Sequence, residues 1–288
     1  MTTTTTTIST TSGTTSGTAP ALLGDPYARS AELDETTATA LARRFDVRAA
    51  DPRQHQLWDQ FLSRAPRIDH ARVLEVGCGT GIITLKIADL PGVDEAVGID
   101  PSTHFIAAAR HRAPHLHFET ADGRALPFAD QSFDGVILAT TLCHIPQPET
   151  ALTEVHRVLR PGGYLLIYDG DYATTTVALH DHDPLQTCVH AAITKLVHDP
   201  WLIRRLPALV TAAGLRPGQM HGHSYLELDN PTYIPTLVEV GADHLTATGA
   251  ITAITATALK NEANDRATNN RFFGHIAYAS MLAIRPRP

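Results

Sequence analysis

Between residues 72 and 171, short apolar runs alternate with stretches whose apolar positions recur every three or four residues. "RVLEVG" precedes "GIITLKIADL", "EAVGID" precedes "STHFIAAARHRA", "HLHFETAD" precedes the short "ALPF", "FDGVILAT" precedes "PETALTEVHRVLR", and "GGYLLIYDGD" closes the series. The first member of each pair reads as a buried strand and the longer second members as amphipathic helices. Five strands joined by crossover-length segments predict an α/β fold with a parallel, doubly wound sheet.

Ahead of this block the pattern is helical from Asp25 to Arg64, with Leu57, Phe61 and Leu62 at helical spacing and Pro52 suited to a helix start. Behind it, "DPLQTCVHAAITKLVHDPWLIRRLPALVTAAGL" predicts helices broken at Pro200 and Pro207 and ended by Gly214 in the left-handed conformation. Trp201 is expected to pack with Leu202, Ile203 and Leu206. A strand near "QMHGHSYLEL", a helical pair from about Pro231 to Arg266 and a last strand in "RFFGHIAYASMLAIR" complete the chain.

Composition narrows the class. The chain has 288 residues, 43% hydrophobic and 18% charged, and no apolar run long enough to span a bilayer. A net charge of −7 argues against a broad nucleic-acid surface, since "ARHRAPH" and "LIRRLP" are short and lie in helical patterns. Cys78, Cys143 and Cys188 form neither a disulfide framework nor a CxxC pattern, which fits a reducing cytoplasm. The opening "MTTTTTTISTTSGTTSGT" is neither basic nor apolar enough for a secretory signal and reads as a disordered tail over residues 1–20. A helical cap is expected over residues 21–66 and the main domain over 67–288.

The chemistry concentrates at strand ends. In "VLEVGCGTGIITLKIA", Glu75 is followed by Gly77, Gly79 and Gly81 just before a helix, so the backbone can approach a ligand and the helix start offers free N–H groups. Asp100 ends the second strand, where a carboxylate can accept from both hydroxyls of a ribose, and Asp122 ends the third, within reach of an adenine amine. Adenosine is the favoured ligand. Ile82 stands where a dinucleotide turn of the GxGxxG type has its third glycine, so NAD(P) and an oxidoreductase are the weaker alternative.

The blocks "VLEVGCGTG", "VGIDPS", "TADGRALPFADQSFDGVIL" and "EVHRVLRPGGYLLIYD" resemble, in order and spacing, the class I S-adenosylmethionine (SAM)-dependent methyltransferases, in particular the UbiE-like branch acting on small molecules. The resemblance implies a Rossmann-like sheet of seven strands in order 3-2-1-4-5-7-6, with strand 7 antiparallel, and SAM as cofactor. It implies that Gly77, Cys78, Gly79, Thr80 and Gly81 wrap the methionine part and that Glu75 orders its ammonium end. Asp100 would hold the ribose, Pro101 and Ser102 the adenine side, Asp122 and Gly123 the adenine amine, and Thr140 and Thr141 the region between methionine and substrate.

Methyl transfer needs a base only when the acceptor arrives protonated. His144, just after the fourth strand, is the candidate for that task, or else packs beside the cofactor. Asp169, Asp171 and Tyr172, at the exit of the fifth strand, could orient a substrate, and Tyr27 could cover the site. His180 with His182 and His221 with His223 have metal-ligand spacing, yet each pair lacks a third ligand, so no metal is expected. Helical lids near residues 173–212 and 231–270 carry few charges on their apolar faces, which suits a lipophilic or aromatic metabolite, such as one of secondary metabolism. The second lid could equally be a contact in a homo-oligomer. The chain therefore reads as a small-molecule methyltransferase, the alternative being a protein that keeps SAM only to bind or cyclise another molecule.

Overall fold

The computed structural model describes residues 24–288. The expected disordered tail, and the first positions of the expected cap, lie outside the described residues. Seven strands form one sheet in the order β3-β2-β1-β4-β5-β7-β6. β1 (Ala71–Val76), β2 (Val93–Asp100), β3 (His117–Thr120), β4 (Phe133–Ala139) and β5 (Leu159–Thr176) run parallel to one another, while β7 (Gly274–Ile284) is antiparallel to both β5 and β6 (Arg216–Glu227). Val73, Leu74, Val136, Ile137 and Leu138 are wholly buried, as central strands covered on both faces must be.

Three crossover helices, α3 (Ile82–Ala88), α4 (Thr103–Arg112) and α5 (Pro148–Val158), fall where the apolar spacing places them. The "ALPF" segment is neither helix nor strand. α5 holds it as a loop: Leu126 N–H donates to Glu154 at 2.8 Å, and the Leu126 and Phe128 carbonyls accept from Arg157 at 2.9 and 2.7 Å.

The N-terminal cap is α1 (Glu35–Ala49) and α2 (Pro52–Leu62). Helix does not begin at Asp25. The Asp25 carboxylate takes the Tyr27 N–H at 2.8 Å in a side-chain turn, a 3-10 turn spans Ser30–Glu32, and α1 starts only where Asp34 caps Thr37 N–H at 2.8 Å. A buried polar cluster ties the cap to the sheet. The Tyr225 hydroxyl on β6 sits between the Asp51 and Glu227 carboxyls at 2.5 and 2.7 Å, sharing its one proton with them, and Glu227 accepts the N–H groups of Thr232, Tyr233 and Ile234 at 2.7–2.9 Å. A carboxylate thus closes the start of α8 (Ile234–Ala247), where the helix dipole favours negative charge.

The remaining helices are α6 (Pro184–Leu196), α7 (Leu206–Ala212) and α9 (Ala253–Thr268). α6 and α8 approach so closely that a Cβ on Gly241 would lie 1.7 Å from the Cys188 carbonyl oxygen. Arg266 of α9 pairs with Asp183, the cap of α6, at 2.6 Å. Three expectations need correction here. Pro207 does not break a helix; it stands in the first turn of α7, where its missing N–H costs nothing. Trp201 is half exposed with Arg204 stacked 4.3 Å from its ring, while Leu202, Ile203 and Leu206 are buried. β5 continues to Thr176, beyond the expected end at Asp171.

Candidate functional site

The carboxyl ends of β1, β2, β3 and β4 open into a cavity of about 270 Å³, roofed by α1 and the segment before it. Its position follows the general rule for open α/β sheets. The turn after β1 is shaped by close approach: a Cβ on Gly77 would lie 2.2 Å from Thr141 Cγ2, and Gly77 has φ of 74°. Gly77 and Cys78 N–H groups donate to the Ile99 carbonyl at 2.8 Å, which locks the turn to β2.

Asp100 is buried at the end of β2, with its two oxygens accepting from Gly79 N–H at 3.0 Å and Ser102 N–H at 2.9 Å. Burial raises its carboxyl to about 6 despite those two bonds. Glu75 is also buried; burial, with Asp100 nearby, raises it to about 8, against the opposing bond from the Thr84 hydroxyl. Among the described residues neither acid has a cationic partner. Two buried, unpaired carboxylates beside an open cavity fit a ligand that brings its own positive charge and hydroxyl donors.

The other expected positions divide. Cys78, Gly79, Thr80, Pro101, Asp122, Gly123, Thr140 and Thr141 line the cavity with Glu75, Gly77 and Asp100. Two expected cofactor positions do not line it: Gly81 starts α3 packed against Phe118, and the Ser102 hydroxyl caps α4, accepting Phe105 N–H at 3.3 Å. Asp122 lines the cavity with both oxygens already engaged by Arg124, at 2.7–3.1 Å.

His144 lines the cavity beyond β4. Its Nδ1 lies 2.7 Å from Asp25, whose carboxylate also accepts His198 N–H at 2.8 Å, and its ring packs on Tyr27 at 4.9 Å. Tyr172 faces the same cavity with its hydroxyl raised well above the ordinary range by burial and by Tyr278. Asp169 does not line it. Asp169 is wholly buried and accepts Cys143 N–H at 3.0 Å and Gly170 N–H at 2.8 Å, which fixes the turn that carries His144. Asp171 is paired with Arg204 at 2.9 Å. The paired histidines assemble no centre: among the described residues no three His, Cys, Asp or Glu side chains stand together as a metal site.

Asp25, Arg44, Arg48, Trp58 and Tyr233 also build the site, and none of the five was singled out from sequence for it, although their neighbour Tyr27 was. One signal was available. Ala38, Leu41 and Phe45 mark the inward stripe of α1, and Arg48 occupies the next position on it, a charge where an apolar residue belongs.

Comparison with known proteins agrees with the geometry. The methyltransferase-domain family matches residues 74–167, the segment from β1 through β5 that carries Glu75, Asp100, Asp122 and His144. A demethylmenaquinone methyltransferase of Renibacterium salmoninarum is 34% identical over 146 residues, 51% of this chain and 54% of that protein. The O-methyltransferase rstn1 of Aspergillus nomiae is 42% identical over 120 residues, 40% of this chain and 53% of that one. The chain thus spans about half the length of the curated relatives it matches. Among solved structures, the YcgJ protein from Bacillus subtilis superposes with a TM-score of 0.56 at 18% identity, covering 81% of this chain and 100% of that one. The [4+2]-cyclase SpnF gives 0.51 at 22% identity, with 82% of each chain covered. These likenesses are of fold alone. Residues 74–167 thus match the methyltransferase-domain family and are similar to the demethylmenaquinone methyltransferase, and the cofactor this likeness supports is S-adenosylmethionine.

Proposed function

We propose that the protein moves a methyl group from SAM to an oxygen, nitrogen or carbon of a small lipophilic or aromatic metabolite. One observation carries the reading: a single cavity opens both on the turn with Glu75, Gly77 and Asp100 and on the His144–Asp25 pair. Bound in that turn, SAM supplies an electrophilic methyl group on a positively charged sulfur. Glu75 takes its ammonium end and Asp100 its ribose hydroxyls, with Asp122 near the base once it shares its bond with Arg124.

For an acceptor that arrives protonated, Asp25 holds the His144 Nδ1–H, leaving Nε2 as a base toward the cavity. His144 Nε2 would take the proton that such an acceptor loses as it is methylated. Ile193, Leu196 and Val197 from α6 and the turn after it, with Leu237 from α8, wall off water on this side. These helices give the lids expected near residues 173–212 and 231–270 their task, and residues 67–288 with the cap form the working unit. Three buried, free cysteines suit a reducing compartment such as the cytoplasm. No described helix is long and apolar enough to cross a membrane.

The test is incubation with methyl-labelled SAM and a metabolite extract, followed by mass analysis. One labelled methyl group on a small molecule is expected. Label on protein alone overturns the substrate class, and a substrate rearranged without mass gain favours the cyclising alternative.

A further inference from the structure

The cavity is electrically lopsided. Its acids, Glu32, Glu75, Asp100 and Asp122, come from the segment before α1 and from the ends of β1, β2 and β3, and two of them are paired, Glu32 with Arg29 and Asp122 with Arg124, which leaves Glu75 and Asp100 without a cation. The half bounded by β4, β5 and the lids is lined by two guanidinium groups, Arg44 and Arg48, and the carboxylate that reaches it, Asp25, is engaged by His144 Nδ1 and the His198 N–H. Arg48 is the sharper case. Its Nη1 donates to Thr140 Oγ1 at 3.1 Å, and its head group lies 5.5 Å from the Tyr278 ring centre and 5.9 Å from those of Trp58 and Tyr233. Its Nε and Nη2 are buried with no hydrogen-bond partner, and among the described residues it forms no ion pair.

An arginine keeps its proton at any ordinary pH, so this charge cannot be relieved by titration. Aromatic faces offset part of the cost of burying it, and the remainder calls for an anion. Tyr168 and Tyr278 stack with ring centres 5.0 Å apart, and their buried hydroxyls are likewise without partners. Tyr278 stands on β7, three strand spacings from β1, or about 14 Å, and Thr140 follows β4, so the Arg48 head group extends from the β4 end toward the β7 side of the cavity.

We infer that the methyl acceptor carries an acidic oxygen group, a carboxylate or an ionised phenol or enol, that sits against Arg48 with Arg44 nearby. The inference rests on the proposed reading that this half of the cavity receives the acceptor. An aromatic body then lies among Trp58, Tyr172 and Tyr233, with its acid toward Thr140. Arg48 selects and places the acceptor, and His144 handles its proton.

The probes are 1-naphthoate and 1-naphthamide, titrated by calorimetry into the protein saturated with S-adenosylhomocysteine (SAH). The acid is expected to bind at least fivefold more tightly than the amide. R48Q should erase that preference and R48K should retain it, while SAH affinity stays within twofold in both. Equal affinity for acid and amide in the unaltered protein, or no binding of either, overturns the inference without recourse to any variant. A tenfold loss of SAH affinity in R48Q also overturns it, because the guanidinium would then belong to the cofactor's own carboxylate. None of these titrations needs turnover: an acid preference with no methyl gained in the mass assay refutes the transfer and leaves the acid site standing.

Discussion

On the β1–β3 side of the cavity the contacting residues follow one another at successive strand ends, from Glu75 to Arg124, and most are held by backbone bonds. On the β4–β7 side they come from a turn before α1, from α1 and α2, from the β4 and β5 ends and from two lid helices. The first half is a property of the sheet, because glycine turns and helix starts recur wherever a parallel strand meets its crossover helix. The second is assembled from elements distant in sequence and can change without disturbing the sheet. A scaffold of this kind keeps its methyl donor and varies its acceptor. The matched relatives, one named for demethylmenaquinone and one an O-methyltransferase, differ in the same sense.

If the halves are separable, substitutions in one should leave the other's readout untouched. The largest effect is expected from H144A. Turnover should fall by roughly 10²–10⁴-fold, the usual worth of a positioned base, with SAH affinity unchanged. D25N should give a smaller loss that follows the same pH profile, because it disturbs the orientation of the ring and leaves the ring in place. Unchanged turnover in H144A would mean that the acceptor arrives already ionised. A loss of SAH binding would join the two halves and break the comparison.

The complementary change is D100A. Both Asp100 oxygens are aimed by backbone N–H groups, so its loss should weaken SAH more than tenfold, or about 1.4 kcal/mol and upward. With SAM saturating, the KM of the acceptor should not move. Calorimetry and steady-state kinetics on the same preparation check both statements, and an unchanged SAH affinity would remove Asp100 from the ribose.

The same division decided what could be read from sequence. The five parallel strands, the glycine register and the positions of Asp100 and Asp122 were legible because each combines a local apolar run with a residue at a fixed offset from it. Even there, the side-chain engagements were hidden. Ser102 is spent on capping α4 and Asp122 on Arg124, two short-range bonds that compete with a ligand. In the acceptor half, Asp25 reaches His144 across 119 positions and Arg48 reaches Thr140 across 92, and no periodicity encodes such pairings. Trp201 failed for a related reason. Apolar neighbours suggested burial, yet a 3-10 turn rotates it outward onto Arg204.

The smallest effect tests whether the cofactor half is strained when empty. Glu75 is raised to about 8 from an ordinary carboxyl value near 4.5, so the folded protein holds a proton there that the unfolded chain releases. The contribution is present in full below about 4.5 and is lost as pH rises toward 8, since the folded state binds more protons throughout that window. Asp100 adds a like slope only up to about 6. Between pH 6 and 8 the two can therefore be told apart: Tm of the ligand-free protein should fall by roughly 2–4 °C for each kcal/mol lost, and E75Q should flatten that slope while D100N leaves it. Differential scanning calorimetry across this range decides it. A slope equal in E75Q and the parent would mean that Glu75 is already ionised in the fold, and its pairing with an ammonium group would then need no proton to leave.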